Sequence, residues 1–466
     1  MNAQNSAYAQ ARATAPDFPA SRRLGAGRMA TAGESYGMDL TGASRSDPIA
    51  RAEPGTLAET GIPEPILLDL LLKAMHEAGL NTASQISDFI KLPPFLVQSL
   101  LEIAGQRVLV EKVGATGLRL TGNFIHGLTE KGKNAARDAL DRNRYVGPAP
   151  VTLDAYRAQV QDQSLRRVVV SPQQIEDAFS GLTLSDSFVR LIGPAVSGGR
   201  AILLYGPPGN GKTTIGTRLG RAISGEIFIP YSIEIDGQII RIFDPTVHIP
   251  ADGFPDLDQR SAVKRDQTDQ RWIRCKRPFV VVGGELTLEM LDLNFSPFSK
   301  FYEAPMHIKA LNGILLIDDF GRQLVSPTQL LNRWIVPLES RVDYLKLHTG
   351  KSFQMPFDEI VIFATNLDPS EIMDPAFLRR LPYKLLVPAP TRADFQSLLS
   401  ALAERVGLTV TGTDVAFTMA EIERRNLPLA SFQPGFILDQ LIAACRFEGV
   451  PLHFSHEMVL LAVKNL

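Results

Sequence analysis

Two cysteines in 466 residues, Cys275 and Cys445, exclude a disulfide framework and a cysteine-based zinc site. Such sparing use fits a reducing compartment, and the cytoplasm is the expected location. No apolar run approaches the roughly 18–20 residues that a membrane-spanning helix needs. The densest patch, residues 66–72, is flanked by charges and predicts a buried helix face. Neither sign of charge dominates: 48 Lys and Arg stand against 50 Asp and Glu, a net of −2. A chain-wide cationic surface is therefore excluded, and any nucleic-acid contact has to be local. What is present is a globular composition, 45% hydrophobic and 21% charged, in a chain long enough for two or three folded units.

Residues 1–60 hold fourteen alanines but only three leucines, one isoleucine and no valine. Too little apolar surface is available there to offset ordering entropy, which predicts a disordered tail. The segment lacks a signal-peptide core. Its arginines and few acids also suit a transit peptide, a second reading.

From 61 to 145 the pattern is helical at 65–78, 82–90 and 94–104, then extended at 107–113 and 118–120 around a 114–117 turn. A closing helix over 128–140 is capped by Thr129. Three helices, a hairpin and a last helix entered through Gly127-Leu128-Thr129-Glu130-Lys131-Gly132-Lys133 resemble a winged-helix domain. Residues 146–164 are expected to be a linker. Short β-branched runs (201–205, 226–229, 279–282, 314–317, 360–364) then alternate with helical stretches, which predicts an α/β body over 165–390 with a parallel sheet covered on both faces. Helices dominate 391–466 (392–406, 413–425, 434–447, 455–466), a small helical domain.

The strongest motif is Gly206-Pro207-Pro208-Gly209-Asn210-Gly211-Lys212-Thr213, followed by Thr214. It follows a predicted strand and opens a helix. Glycines let such a loop turn its N–H groups toward phosphate oxygens, and the new helix adds its positive end. Lys212 is expected at the β- and γ-phosphates and Thr213 on Mg2+. Four apolar residues, Ile314-Leu315-Leu316-Ile317, then deliver Asp318 and Asp319 to the ligand-binding edge of the sheet. Asp318 is the candidate metal carboxylate; Asp319 is the candidate that orients or activates water.

With these residues the chain resembles the AAA+ ATPases over about 165–466. The resemblance implies ATP and Mg2+ as cofactors and Asn366, ending Ile360-Val361-Ile362-Phe363-Ala364-Thr365, as the sensor 1 residue. It implies that Arg379 and Arg380, in Asp374-Pro375-Ala376-Phe377-Leu378-Arg379-Arg380, reach a neighbouring subunit's nucleotide. A homo-oligomeric ring, with a hexamer favoured, follows, and the helical end becomes the lid over the site.

The chain also departs from that family. Asp319 stands where glutamate is commoner, and the lid helix opens Gln433-Pro434-Gly435-Phe436 without the sensor 2 arginine. Arg446 lies about two turns further on. The long interval between Lys212 and Asp318 predicts an insertion with a hairpin turning at Asp236-Gly237 and a solvated stretch over 252–276. A second hairpin, 342–347 with 353–357 around Gly350, resembles an insertion in the branches that include the MoxR-like chaperones and the unfoldases. No aromatic–apolar–glycine threading loop is found near Tyr231. His453 and His456 read as ordinary polar positions, and Cys275 as a surface or half-buried thiol.

The third helix of the front domain carries Glu102 and no Lys or Arg, and residues 61–145 hold ten basic and nine acidic side chains. Few phosphate contacts are on offer, so a protein-docking role is favoured over DNA. The leading expectation is an ATPase that remodels a protein partner or complex. The alternatives are a DNA-associated ATPase and an ATP-gated switch with little turnover.

Overall fold

Five short strands, the inner three almost wholly buried, organise the molecule. In the computed structural model they form one parallel sheet in the order Tyr383–Leu386, Ile202–Tyr205, Ile360–Thr365, Ile314–Ile317, Phe279–Val282. Every residue of the central Ile314–Ile317 and Ile360–Thr365 strands is buried, as expected for a sheet packed on both faces. One side packs against the helices Pro172–Ala178, Asp186–Ser197 and Lys212–Ala222; the other packs against Pro327–Ser340, where Trp334 is fully buried. The fold class is α/β. The structure describes residues 50–116, 123–181, 186–253 and 268–466, all within one compact unit. Residues 1–49 of the expected tail and the expected strand at 118–120 lie outside the described residues.

Two expectations for the sheet are corrected. Glu226–Pro230 is not one of its strands; it pairs antiparallel with Trp272–Lys276. Its alternation of buried Ile227 and Ile229 with less buried neighbours suits a ribbon lying on a second core. The fifth strand is instead Tyr383–Leu386, which the sequence reading missed because its exposed Lys384 and Leu386 mark it as an edge.

That second core is the largest departure from the sequence reading. Val151–Thr152 pairs parallel with Ser232–Ile235, and Leu153–Asp162 is a helix that buries Tyr156 and Val160, where a linker was expected. The sheet continues through Gln238–Arg241 and Tyr302–Glu303 to Asn294–Phe295. The Asp236-Gly237 turn has positive φ at both residues (55° and 78°), the geometry of a tight hairpin. Trp272 and Cys275 are buried in this core, so the end of the stretch expected to be solvated is interior strand; residues 254–267 lie outside the described residues. Burial also pushes the Cys275 thiol up to about 12, correcting the expected surface or half-buried thiol. The hairpin Val342–Lys346 with Ser352–Pro356 turns at Gly350 and covers the same core.

The front region is built as the hydrophobic spacing implies. Helices Glu64–Glu77, Ala83–Ile90 and Pro94–Gln106 pack with the hairpin Val110–Thr116 and Asn123–Leu128, and Glu130–Arg142 closes them. The last helix starts two residues later than expected because Leu128 still belongs to the strand. Thr129 caps it by accepting from Gly132 N. Gly132 is required there, since a Cβ would lie 1.9 Å from the Leu109 carbonyl oxygen. Residues 50–60 are ordered as well: Arg51 pairs with Asp162 at 2.7 Å and donates to Gln159. Tyr145 joins this region to the second core, accepting from Ser232 Oγ at 3.0 Å and meeting Phe301 edge-on.

Four C-terminal helices, Arg392–Arg405, Gly412–Arg424, Gln433–Glu448 and His456–Lys464, enclose their own core around Phe395, Ile422, Leu441 and Val459. Thr391 and Thr411 cap the first two with Asp394 and Asp414 in reciprocal boxes. Among the described residues no helix is long and apolar enough to cross a membrane.

A buried polar junction ties the second core to the base of the sheet. Gln163 donates to Asn312 Oδ1 at 3.0 Å, Asn312 donates to Asp358 at 2.7 Å, and Asp358 also accepts from Ser164 Oγ and Leu165 N. The adjacent Glu359 is 1% exposed, and neither of its carboxyl oxygens has a hydrogen-bond partner among the described residues. Burial, with Asp358 nearby, holds it well above the usual glutamate range against the opposing pull of Arg341. The folded state therefore keeps the proton that the unfolded chain releases near pH ~4.3. Its stabilising contribution is present below that pH and is lost as pH rises toward the folded value. The melting temperature of Glu359→Gln is expected to exceed that of the natural chain at neutral pH. The gap should close as the pH falls below the ordinary glutamate range; thermal melts across pH check this.

Candidate functional site

At the C-terminal edge of the parallel sheet three strand ends lie side by side. Ile360–Thr365 separates Ile202–Tyr205 from Ile314–Ile317, so residues following the outer two are about 9–10 Å apart in backbone and within reach through side chains. The strand Ile202–Tyr205 runs into the glycine loop, where Gly206, Gly209 and Gly211 have φ of 138°, 74° and 84°. Lys212 then begins the helix Lys212–Ala222 with Gly211 as its cap. The loop has no room for larger residues at two of these glycines: a Cβ on Gly206 would lie 2.3 Å from Val387 O, and one on Gly209 2.4 Å from a Phe432 ring carbon.

The expected residues meet here. Lys212 is 7% exposed, and its Nζ donates to Gly206 O and Pro207 O, both at 2.8 Å. Burial lowers its pKa, while Asp318 and Asp319 work in the opposite direction. Thr213 Oγ1 donates to Asp318 Oδ2 at 2.7 Å, and Asp318 Oδ1 accepts from Asp319 N at 3.0 Å. Asn366 Nδ2 donates to Asp319 Oδ1 at 3.2 Å. Asn210 is turned differently: its Oδ1 accepts from Ser431 N of the C-terminal helical body and its Nδ2 donates to Pro207 O.

The turn carrying the two aspartates is strained and clamped. Asp319 has φ of +49°, in the left-handed region that few non-glycine residues adopt, and Gly321 has +101°. Gln323 holds it from behind, donating to Asp318 O at 2.9 Å and accepting from Gly321 N at 2.8 Å. Buried Thr365 donates to Phe320 O at 2.7 Å. Neither Gln323 nor Thr365 was singled out from the sequence. The only available signal was a polar residue closely following, or ending, an apolar strand.

The two arginines separate. Arg380 is committed within its own chain, to Glu339 Oε1 and Ala376 O, each at 2.6 Å. Arg379 is exposed and has no ion-pair partner among the described residues. Asp374 caps the short helix before them through Phe377 N. His456 stacks on Phe417 and bonds Asp414, and His453 bonds Pro451 O, so the two imidazoles are engaged apart from each other.

Residues 391–465 match a family model described as a domain of unknown function, DUF8689, which coincides with the C-terminal helical body. No curated protein matches the chain. Solved structures similar to it include NtrX from Brucella abortus in complex with ADP, at 14% identity and TM-score 0.38, covering 72% of this chain and 66% of that one. NtrX in complex with ATP matches at 16% identity and TM-score 0.36, covering 80% and 65%. A Thermotoga maritima RuvB P216G mutant matches at 12% and 0.32, covering 65% and 73%. The chain thus spans about two thirds of the NtrX chains.

The loop geometry separates two glycines. Gly206→Ala drives a Cβ into a backbone oxygen and is expected to cost about 3 kcal/mol or more of unfolding free energy. Gly211→Ala meets nothing closer than 3.9 Å, so only the left-handed backbone opposes it, at about 1–2 kcal/mol. Denaturant unfolding of both variants checks the order.

Proposed function

We propose that the chain is an ATP-binding and ATP-hydrolysing ATPase of the AAA+ type that remodels a protein partner or complex. The convergence of Lys212, Thr213, Asp318, Asp319 and Asn366 beside a glycine loop that opens a helix carries this reading. Backbone N–H groups of the loop and the first turn of Lys212–Ala222 receive phosphate oxygens. Lys212, now held by two loop carbonyls, is placed to exchange them for the β- and γ-phosphates. Thr213 and Asp318 form a hydroxyl–carboxylate pair, an all-oxygen donor set that suits Mg2+. When bound, that ion neutralises charge on the phosphates. Asp319 orients the attacking water and accepts its proton, while Asn366 fixes the Asp319 carboxylate.

Completion of the site in trans falls to Arg379, because Arg380 is already paired with Glu339. This implies a ring of identical subunits, with a hexamer favoured. The front region, of winged-helix type, holds the partner. Its third helix and hairpin flank a cleft of about 290 Å3 whose charged lining is Glu102, Glu111 and Lys112, with His126 beside them. Two carboxylates against one ammonium, beside a third helix without Lys or Arg, give a phosphate backbone little to hold, which favours a protein over DNA.

Asp319→Asn is expected to slow steady-state phosphate release about 10²-fold or more, the usual worth of a positioned base. An equal rate would remove Asp319 from catalysis; undetectable turnover in the natural chain, with nucleotide bound, would make the protein a switch. Subunits carrying Lys212→Ala mixed with subunits carrying Arg379→Ala should recover part of the turnover that each lacks alone. Confirmed mixed rings without recovery contradict a shared site.

A further inference from the structure

Among the described residues, the hydrogen bonds between the C-terminal helical body and the glycine loop join uncharged groups, and those contacts are specific. Residues 428–433 approach the loop as a rigid turn. Gln433 is 3% exposed; its Nε2 donates to Pro428 O at 2.9 Å and its Oε1 accepts from Ala430 N at 2.8 Å. The turn presents two backbone donors in succession. Ser431 N donates to Asn210 Oδ1 and Phe432 N to Gly209 O, each at 3.0 Å. The Phe432 ring lies against Gly209, with Phe436 edge-on behind it.

We propose that Asn210 is a positioning residue: its side chain tethers the phosphate loop to the helical body, so that the body senses whether the loop is occupied. This rests on the loop being a nucleotide site. Asn210 is 7% exposed and both ends of its amide are bonded within the protein, so the side chain is not offered to a ligand. The coupling has a direct mechanical basis. The Gly209 carbonyl and the Asn210 N–H belong to one rigid peptide plane. When a phosphate oxygen attracts the Asn210 N–H, the carbonyl holding Phe432 N turns with it. Glycine at 209 lets that plane rotate and leaves space for the ring. Because no charged side chain takes part, the link is insensitive to ionic strength, unlike a guanidinium contact.

Hydrogen exchange of the segment 428–436 in the full-length chain, with and without Mg-ADP, tests this directly. In the natural chain the segment is protected, and ADP changes its exchange rate equally at low and high salt. In Asn210→Ala the nucleotide-free segment is expected to exchange about tenfold faster, the worth of one hydrogen bond. The response to ADP should shrink, the backbone bond from Phe432 N to Gly209 O remaining, and kcat should fall more than KM changes. Asn210→Asp, which keeps the acceptor oxygen, should restore protection. Phe432→Ala removes the half-exposed ring from the other side and should weaken the same response while the helical body stays folded by circular dichroism. ADP uptake with an unaltered response in Asn210→Ala and Phe432→Ala overturns the tether while leaving the nucleotide reading intact. A natural chain that takes up no ADP removes the nucleotide reading, and the coupling with it. In that case the exchange of the nucleotide-free variant still shows whether the contact exists.

Discussion

The site depends on one constraint: buried parallel strands must satisfy every backbone group with their neighbours, so they stay in register and end at a common edge. Ile314 faces Ile360 and Ile362 faces Ile202, and that register fixes where the following residues begin. From three adjacent ends come an ammonium held on two loop carbonyls, and a hydroxyl, two carboxylates and an amide joined by bonds of 2.7–3.2 Å. A slip of one residue would exchange the side chains packed against the two helical layers, which close packing opposes. The strained turn at Asp319 persists because Gln323 and Thr365 hold its carbonyls in place.

The second core changes how force could travel through the molecule. The front region is joined to the central parallel sheet by folded structure, through Tyr145 and Phe301, then the helix Leu153–Asp162, then the Gln163–Asn312–Asp358 junction. A buried network of this kind is costly to break, since each lost partner leaves a desolvated polar group. Movement at the base of the sheet is therefore coupled to the front region through a stiff path.

The glycine loop faces two ways. In the proposed reading its backbone and Lys212 address a ligand, while the Asn210 side chain and the Gly209 carbonyl bond the C-terminal helical body. This division of labour gives a small displacement in the loop a direct outlet, independent of charge. Arg379 and Arg380 divide in the same manner, one exposed and the other bonded within its own chain.

Much of this was legible from the residues in order. The glycine loop, the apolar run before Asp318 and Asp319, the strand before Asn366 and the four C-terminal helices all follow from local spacing and caps. Those signals are short-range: a strand with both faces buried is apolar throughout, and a cap is set by its own first turn. Tertiary structure alone decided that Glu226–Pro230 leaves the central sheet and Tyr383–Leu386 joins it, since pairing depends on partners distant in sequence. It also decided that residues 151–162 build a second core, and that Asn210 bonds Ser431 across 221 positions. No local pattern encodes such choices, because the free energy that settles them comes from surfaces that meet only after the chain has folded.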